Sequence, residues 1–286
     1  MMKFNNLCKL LAVMAVATTL ELFSLAKPAD ATEVNFIALT SDNSLARYSP
    51  NSGKFKNAKK VKGIDGNLVG IDFRPANGLL YGVTDTNKIY TIDPITGAAT
   101  FVSTLSTSFN GGVQSGVDFN PAADRLRLNG SNEQNLRINV DTGAVTVDST
   151  LAYANGDPNF GVDPNVTAAA YINSVAGATS TALYNIDYDL DVLVLQNPPN
   201  NGTLTTVGPL GVNFAPIGGF DIFTDANGVN YAYALSGSKL YSIDLNTGAA
   251  TELENVIKEG REDDFIGLAV TDAKMDDKDD NKSNRN

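Results

Sequence analysis

The sequence predicts an all-β fold: a single five-bladed β-propeller-like ring of four-stranded antiparallel sheets, closed by pairing of its N- and C-terminal strands. Three observations predict it. A unit recurs at a spacing in the mid-forties, the chain has a strand-and-turn texture without helical periodicity, and its two ends are out of phase with the repeat.

The repeat is plainest in Lys88-Ile89-Tyr90-Thr91-Ile92-Asp93-Pro94-Ile95-Thr96-Gly97-Ala98-Ala99-Thr100. It returns almost unchanged as Lys239-Leu240-Tyr241-Ser242-Ile243-Asp244-Leu245-Asn246-Thr247-Gly248-Ala249-Ala250-Thr251. Weaker copies centre on Asp141-Thr142-Gly143, on Tyr48 to Gly53, and on Asn197-Pro198-Pro199-Asn200-Asn201-Gly202. The turn glycines Gly53, Gly97, Gly143, Gly202 and Gly248 are 44, 46, 59 and 46 residues apart. A unit of that length is one four-stranded propeller blade. The long third interval makes the fourth blade the weakest assignment, and a sixth small sheet is the alternative there.

Each unit supplies its other strands from short β-branched and aromatic runs, such as Val69 to Phe73 and Leu79 to Val83, separated by Pro, Asn, Asp and Gly. That is the hairpin signature. In the Asp-x-x-Thr-Gly element the carboxylate caps the turn and glycine accepts positive φ, so Asp93, Asp141 and Asp244 are expected to form turns. Phe36 to Leu39 matches the second strand of a unit and Ile266 to Val270 the first, so both ends together complete one blade and remove two open sheet edges. Lys54, Lys56, Lys59 and Lys60 then fall on the outer strand of that blade, where lysines discourage edge pairing.

Residues 1–31 read as a signal peptide: Lys3 and Lys9 precede an apolar stretch, and Ala29-Asp30-Ala31 offers a cleavage site. The expectation is a secreted or periplasmic protein, with a propeller domain over 32–271 and a disordered charged tail over 272–286. The apolar stretch is shorter than the roughly 20 residues of a spanning helix, so no stable membrane insertion is expected. The only cysteine, Cys8, lies in the leader, which leaves the rest of the chain without disulfides or thiolate chemistry. The net charge of −11 remains strongly acidic without the leader, and such a surface repels nucleic acid. Cations, basic peptides and neutral glycans remain as partners.

Four ordered segments carry a family resemblance: Gly70-Ile71-Asp72-Phe73-Arg74-Pro75-Ala76-Asn77-Gly78; Gly116-Val117-Asp118-Phe119-Asn120-Pro121 with Asp124-Arg125-Leu126-Arg127; Gln134-Asn135-Leu136-Arg137-Ile138-Asn139; and Gln196 to Leu204. Together they resemble the bacterial family known as domain of unknown function 4394, over roughly Val34 to Val270. The resemblance implies exported proteins with a propeller-like repeat and no established activity. It also implies glycine where this chain has Glu133.

The absence of histidine excludes Ser-His-Asp and Cys-His nucleophile systems and the usual zinc sites. Carboxylates remain. Glu133 with Asp118 or Asp72 is the best available acid/base pair for a glycosidase, which needs two carboxyl groups about 5–10 Å apart. Asp187-Tyr188-Asp189-Leu190-Asp191 alternates oxygen ligands but lacks the glycine of a calcium loop, and reads as a solvated turn. The strongest pattern is Asp72, Asp118 and Asp221 at one position of three innermost strands, with Ala269 and the Ala168-Ala169-Ala170 segment, or Asp163 in another register, in the remaining two. Near the axis these three are candidate ligands for a calcium-like ion or a ligand group. Alternatively each bonds to neighbouring backbone or to Arg74, Arg125 or Arg127. Arg74, Arg127 and Arg137 either fork onto a ligand carboxylate or pair with aspartates between blades. No cofactor is firmly implied. The expected function is a non-catalytic binding or scaffold propeller for a protein or glycan, with a carboxylate-based, divalent-cation-dependent hydrolase or lactonase and a structural surface or matrix component as alternatives.

Overall fold

Alternating apolar and polar residues on short strands cannot bury their apolar faces within one small sheet, so the sheets must stack. In the computed structural model, which describes residues 34–49, 54–55, 58–111, 114–255 and 265–272, five sheets stack face to face around one axis. Blade two is Leu68–Phe73, Leu80–Thr84, Lys88–Ile92 and Ala99–Thr104, counted from the axis outward. Blade three is Ser115–Asn120, Arg125–Gly130, Asn135–Asn139 and Ala144–Val147. Blade five is Gly218–Thr224, Asn230–Ser236, Lys239–Ile243 and Ala250–Asn255.

Blade one is built from both ends of the ring. Its innermost strand, Phe265–Thr271, pairs antiparallel with Asn35–Thr40, in a register that sets Phe36 opposite Val270 and Ala38 opposite Leu268. Ser44–Ser49 follows, and the outer edge is two short pieces, Lys54–Phe55 and Lys59–Lys60. The lysine-bearing edge is therefore where the repeat puts it, although Lys56 lies outside the described residues. So do the expected leader at 1–31 and all of the expected tail beyond Asp272.

Blade four explains the long repeat interval. Its strands Val166–Tyr171, Leu183–Asp187, Val192–Gln196 and Thr203–Pro209 form an ordinary blade, and a fifth, Ala152–Tyr153, runs parallel to the outer one. The additional residues extend the connection from blade three and the hairpin over 172–182, and no sixth sheet forms among the described residues. The turn over Asn197 to Gly202 holds a short 3-10 helix, Pro199–Asn201, ended by Gly202 at φ 66°.

The core lies between blades. Tyr81, Val83 and Ile89 of blade two pack against Phe119, Leu126 and Leu128 of blade three, with the Tyr81 and Phe119 rings edge to face at 5.3 Å. Full burial of each large apolar side chain contributes roughly 1.5–3 kcal/mol, so this interface is a core in its own right, whereas blades three and four meet through buried polar side chains such as Asn129 and Asn185. The turn glycines add a second kind of joint. Gly143 has φ 72°, and a Cβ there would lie 1.9 Å from the carbonyl oxygen of Thr104 in the preceding blade. Gly97 stands likewise against Lys60, so the repeat glycine serves the turn and the approach of two backbones at once.

Candidate functional site

The innermost strands meet around the axis, each touching the next, and Phe265–Thr271 returns to Leu68–Phe73. The edge of each such strand that faces the axis has backbone amides without a ladder partner, and a buried amide left unpaired is costly. Aspartate supplies the acceptor. Asp72 Oδ2 accepts the amide of Phe119 at 2.7 Å, Asp118 Oδ1 that of Tyr171 at 3.1 Å, and Asp221 Oδ2 that of Val270 at 2.6 Å. Asp221 Oδ1 also accepts from Ile222 at 2.6 Å. The equivalence of Phe119, Tyr171 and Val270 sets Ala170 and Ala269 at the two remaining positions, so blade four carries alanine there. Asp163 sits elsewhere, beside Glu133.

All three carboxylates are buried, and one oxygen of each lies within 4.8 Å of the others. Burial pushes all three above the usual carboxylate range. Asp221 adds to the rise at Asp72, and Asp72 and Asp221 add to it at Asp118; Asp221 itself is pushed up to about 7. Backbone amides pull in the other direction. Among the described residues this is the cluster whose spacing suits a cation, since calcium oxygens lie about 2.3–2.6 Å from the ion. It is equally a set of three blade-to-blade hydrogen bonds, and the arginines named with it do not join it.

Arg74 forks twice into blade three. Nε and Nη2 reach Asp124 at 2.8 and 2.6 Å, while Nη1 and Nη2 reach Asp141 at 2.8 and 3.0 Å. Bonds to Asp124 first and Asp141 second hold its pKa above the ordinary arginine value. Arg127, 1% exposed, bridges blades three and four through Asp148 and Asn135, both at 2.6 Å, Asn200 at 2.9 Å and the Tyr171 hydroxyl at 3.2 Å. Arg137 shares Asp148, with bonds of 2.7 and 3.0 Å. Asp148 is thus the acidic partner of two arginines, and no motif in the sequence marks it.

Other expected carboxylates take different places. Asp93 and Asp244 cap their turns, accepting from Ile95 at 2.8 Å and Asn246 at 2.8 Å. In the third copy the cap is Asn139, which accepts from Asp141 at 3.1 Å, and this corrects Asp141 from turn-former to partner of Arg74. Asp187 is not solvated either: it is fully buried and accepts the Tyr153 hydroxyl at 2.6 Å. Burial raises its pKa despite that bond. Glu133, at φ 60°, stands where glycine was implied; burial and then Asp163 raise its pKa. It occupies the turn beyond Gly130, whereas Asp118 pairs with Arg127 three positions further along the strand. The structure groups Glu133 with Asp163 rather than with Asp118 or Asp72.

Among the described residues, two of the cavities open on the face that carries the blade-to-blade connections. One, of about 360 Å³, lies between blades two and three at the mouth of the axial channel. Leu68, Val69 and Phe109 give it apolar surface, and Asp85, Asn110, Gln114 and Ser115 polar groups. Its outer wall, the connection over 105–111, is held from both sides. Asn87 accepts the amides of Leu105, through its carbonyl at 2.9 Å, and Phe109, through its side chain at 2.7 Å. From blade three, Gln134 Oε1 accepts the amides of Asn110 at 2.7 Å and Gly111 at 3.2 Å. The second cavity, about 440 Å³, lies by Val212 and Ser238 in blade five, beside the Lys239–Glu252 ion pair at 2.7 Å. Leu68 pairs with Thr84 as Gly218 pairs with Ser236, so both openings are on the same face.

The family model described as domain of unknown function DUF4394 matches residues 44–269. The chain belongs to the DUF4394 family. No curated protein matches the sequence. Among solved structures, a protein of unknown function from Bacteroides caccae is similar at 12% identity and a TM-score of 0.42, over 77% of this chain and 73% of that one. A structural genomics protein of unknown function from Bacteroides thetaiotaomicron VPI-5482 is similar at 18% identity and a TM-score of 0.47, over 78% of this chain; the match spans 58% of its length.

The segments that carry the DUF4394 resemblance lie at joints between blades. Asp72 and Arg74 join blades two and three, Asp118 and Arg127 join three and four, and Gln196 and Asn135 meet in a buried network with Asn129 and Asn185. Gln134 is the exception, because its bonds shape a cavity wall. Among the described residues of this DUF4394 protein no helix is long and apolar enough to cross a membrane.

Proposed function

We propose that the protein is an exported, non-catalytic recognition propeller that binds a protein or glycan on the face carrying the blade-to-blade connections. The observation that carries this reading is the cavity between blades two and three, whose wall is fixed in advance by Asn87 and Gln134. A wall already ordered loses little entropy when a ligand arrives, which is what a binding surface requires. The charged side chains of the interior support the same reading, since Asp72, Asp118, Asp221, Arg74 and Arg127 serve joints between blades, and Arg137 bonds Asp148 within blade three. Among the described residues each cavity has one carboxylate in its lining, Asp85 in the first and Glu252 in the second, whereas a two-carboxylate hydrolysis needs a facing pair.

Export rests on the charged start, apolar stretch and Ala29-Asp30-Ala31 of the leader. Sequencing the amino terminus of the protein recovered outside the cytoplasm should begin at Thr32. Recognition is tested by screening the purified protein on peptide and glycan arrays beside its Asn110→Arg variant, which fills the cavity. Binding that is lost in the variant at unchanged Tm supports the reading. Calcium-dependent turnover of chromogenic esters, lactones or glycosides, lost in Asp85→Asn, would replace it with a hydrolytic one, and self-association at micromolar concentration would favour a matrix role.

A further inference from the structure

We infer that the cavity between blades two and three is a subsite for one uncharged sugar unit, an inference that rests on the recognition reading above. A sugar ring offers hydroxyls that both donate and accept, around a carbon skeleton with apolar faces. A pocket that takes one must therefore mix the two hydrogen-bonding senses over an apolar floor. This cavity does so. The Asn110 and Gln114 amides each combine a donor and an acceptor group, the Ser115 hydroxyl does both through one atom, and Asp85 accepts only. Leu68, Val69 and Phe109 form the apolar part. The volume of about 360 Å³ falls at the small end of ligand pockets, which suits a single ring with its first linkage.

Charge narrows the class. The net charge of −11 and the Asp85 carboxylate disfavour phosphorylated, sulfated or uronic-acid sugars. A cationic peptide side chain would call for a carboxylate whose oxygens are both open to it. Among the described lining residues Asp85 is the one carboxylate, and its two oxygens already accept the Asn67 amide at 2.9 Å and the Asn67 side chain at 3.0 Å. Those bonds leave it fixed in place, as an orienting acceptor for hydroxyls.

Position narrows the geometry. Asn110 is exposed at the rim while its own backbone is held by Gln134, so the amide is presented from a rigid wall. Gln114 and Ser115 are buried at the inner end, where Gln114 Nε2 donates to the Ile266 carbonyl and Ser115 also lines the axial channel. The sugar would enter with one edge toward Asn110 and the other toward Ser115. Gln134 is then a positioning residue, acting through the wall.

The experiment is calorimetric titration and saturation-transfer NMR of the full protein. The probes are glucose, galactose, mannose and N-acetylglucosamine with their β-linked disaccharides, to 50 mM. At least one neutral sugar should bind, and Asn110→Ala and Asp85→Asn should each weaken it on the order of tenfold, the effect of leaving a ligand polar group unpaired. Gln134→Ala should weaken binding while leaving the set of ligand protons that receive saturation unchanged, because it loosens the wall without touching the sugar. Tm of each variant checks folding, and Gln134→Glu, which keeps the acceptor, should restore affinity. No binding by any sugar, or binding indifferent to Asn110→Ala and Asp85→Asn, overturns the inference. In the first case, peptide capture that Asn110→Arg abolishes would leave the recognition reading standing; sugar hydrolysis would remove both.

Discussion

Asp221 reaches across a blade boundary to accept the amide of Val270 at 2.6 Å, so the last strand of the ring is held by a side chain of the blade before it. Pairing with Asn35–Thr40 holds its other edge. Removing residues 267–286 takes away both contacts and should abolish cooperative unfolding in a thermal melt. Removing residues 272–286 leaves them in place and should leave Tm nearly unchanged. Equal melting of the two truncations would show that closure does not depend on this strand.

The axial carboxylates give the ring a pH dependence of definite sign. Their folded pKa values are raised by burial, with repulsion adding to it at Asp72 and Asp118, and Asp221 stands near 7 against an unperturbed 3.8. The folded chain therefore binds these protons more tightly than the unfolded chain. The stability that Asp221 contributes is complete below about pH 4 and is lost as pH rises through about 7, and Asp72 and Asp118 act with the same sign. Asp72→Asn keeps an acceptor for Phe119 and removes one ionisation. It should raise Tm at pH 8 by several degrees and change it little at pH 4. Calcium gives the alternative: if it raises Tm of the native protein but not of the Asp72→Asn/Asp118→Asn double variant, the cluster belongs to a cation.

Arg74 is a clamp with two unequal arms, since Asp124 is 39% and Asp141 59% exposed. Exposure screens a pair, so Asp124→Asn should cost more than Asp141→Asn, each about 1 kcal/mol or less. Arg74→Lys, which keeps the charge and loses the fork, should cost more than either. Urea unfolding measures the order, and equal losses for both aspartates would contradict a graded clamp.

Asp148 should be the most sensitive carboxylate in the protein. It is 5% exposed in its side chain and bonds two arginines, one of them Arg127 at 1%. Removing one partner of a buried pair costs about 3–5 kcal/mol because the other charge stays behind. Asp148→Ala should thus cost several times as much as Asp141→Ala, by urea unfolding.

Two glycines at nearly the same φ separate turn geometry from packing. Gly78 has φ 68° with open space around it, while Gly143 has φ 72° and the Thr104 carbonyl in the way of any Cβ. Gly78→Ala should cost about 1 kcal/mol, the strain of a left-handed alanine. Gly143→Ala should cost clearly more, and equal losses would mean the preceding blade yields freely.

What could be read beforehand was whatever repeats. The turn glycines, the strand alternation and the unmatched ends sufficed for five blades and their closure, and the shared position of Asp72, Asp118 and Asp221 sufficed to place them near the axis. What could not be read was which side chains meet across blades. Arg74 and Asp141 are 67 residues apart, and Arg127 and Asn200 are 73 apart, and no period links such pairs. Asp148 follows an outer strand with nothing to distinguish it, and Asp141 copied the look of a turn aspartate while Asn139 did the capping. Gln134 carried a signal, as part of a family motif, but its task depends on a loop from another blade.

Closure by side-by-side pairing also separates the order of the blades along the chain from their order around the ring. The strands that open and close the ring meet side by side in one sheet, since Asn35 lies opposite Thr271. A short linker between them and a cut in the hairpin over 172–182 would give a reordered polypeptide with every sheet and register retained. Its folding would then begin and end in blade four, and blade one would be joined by covalent bonds in place of hydrogen bonds alone.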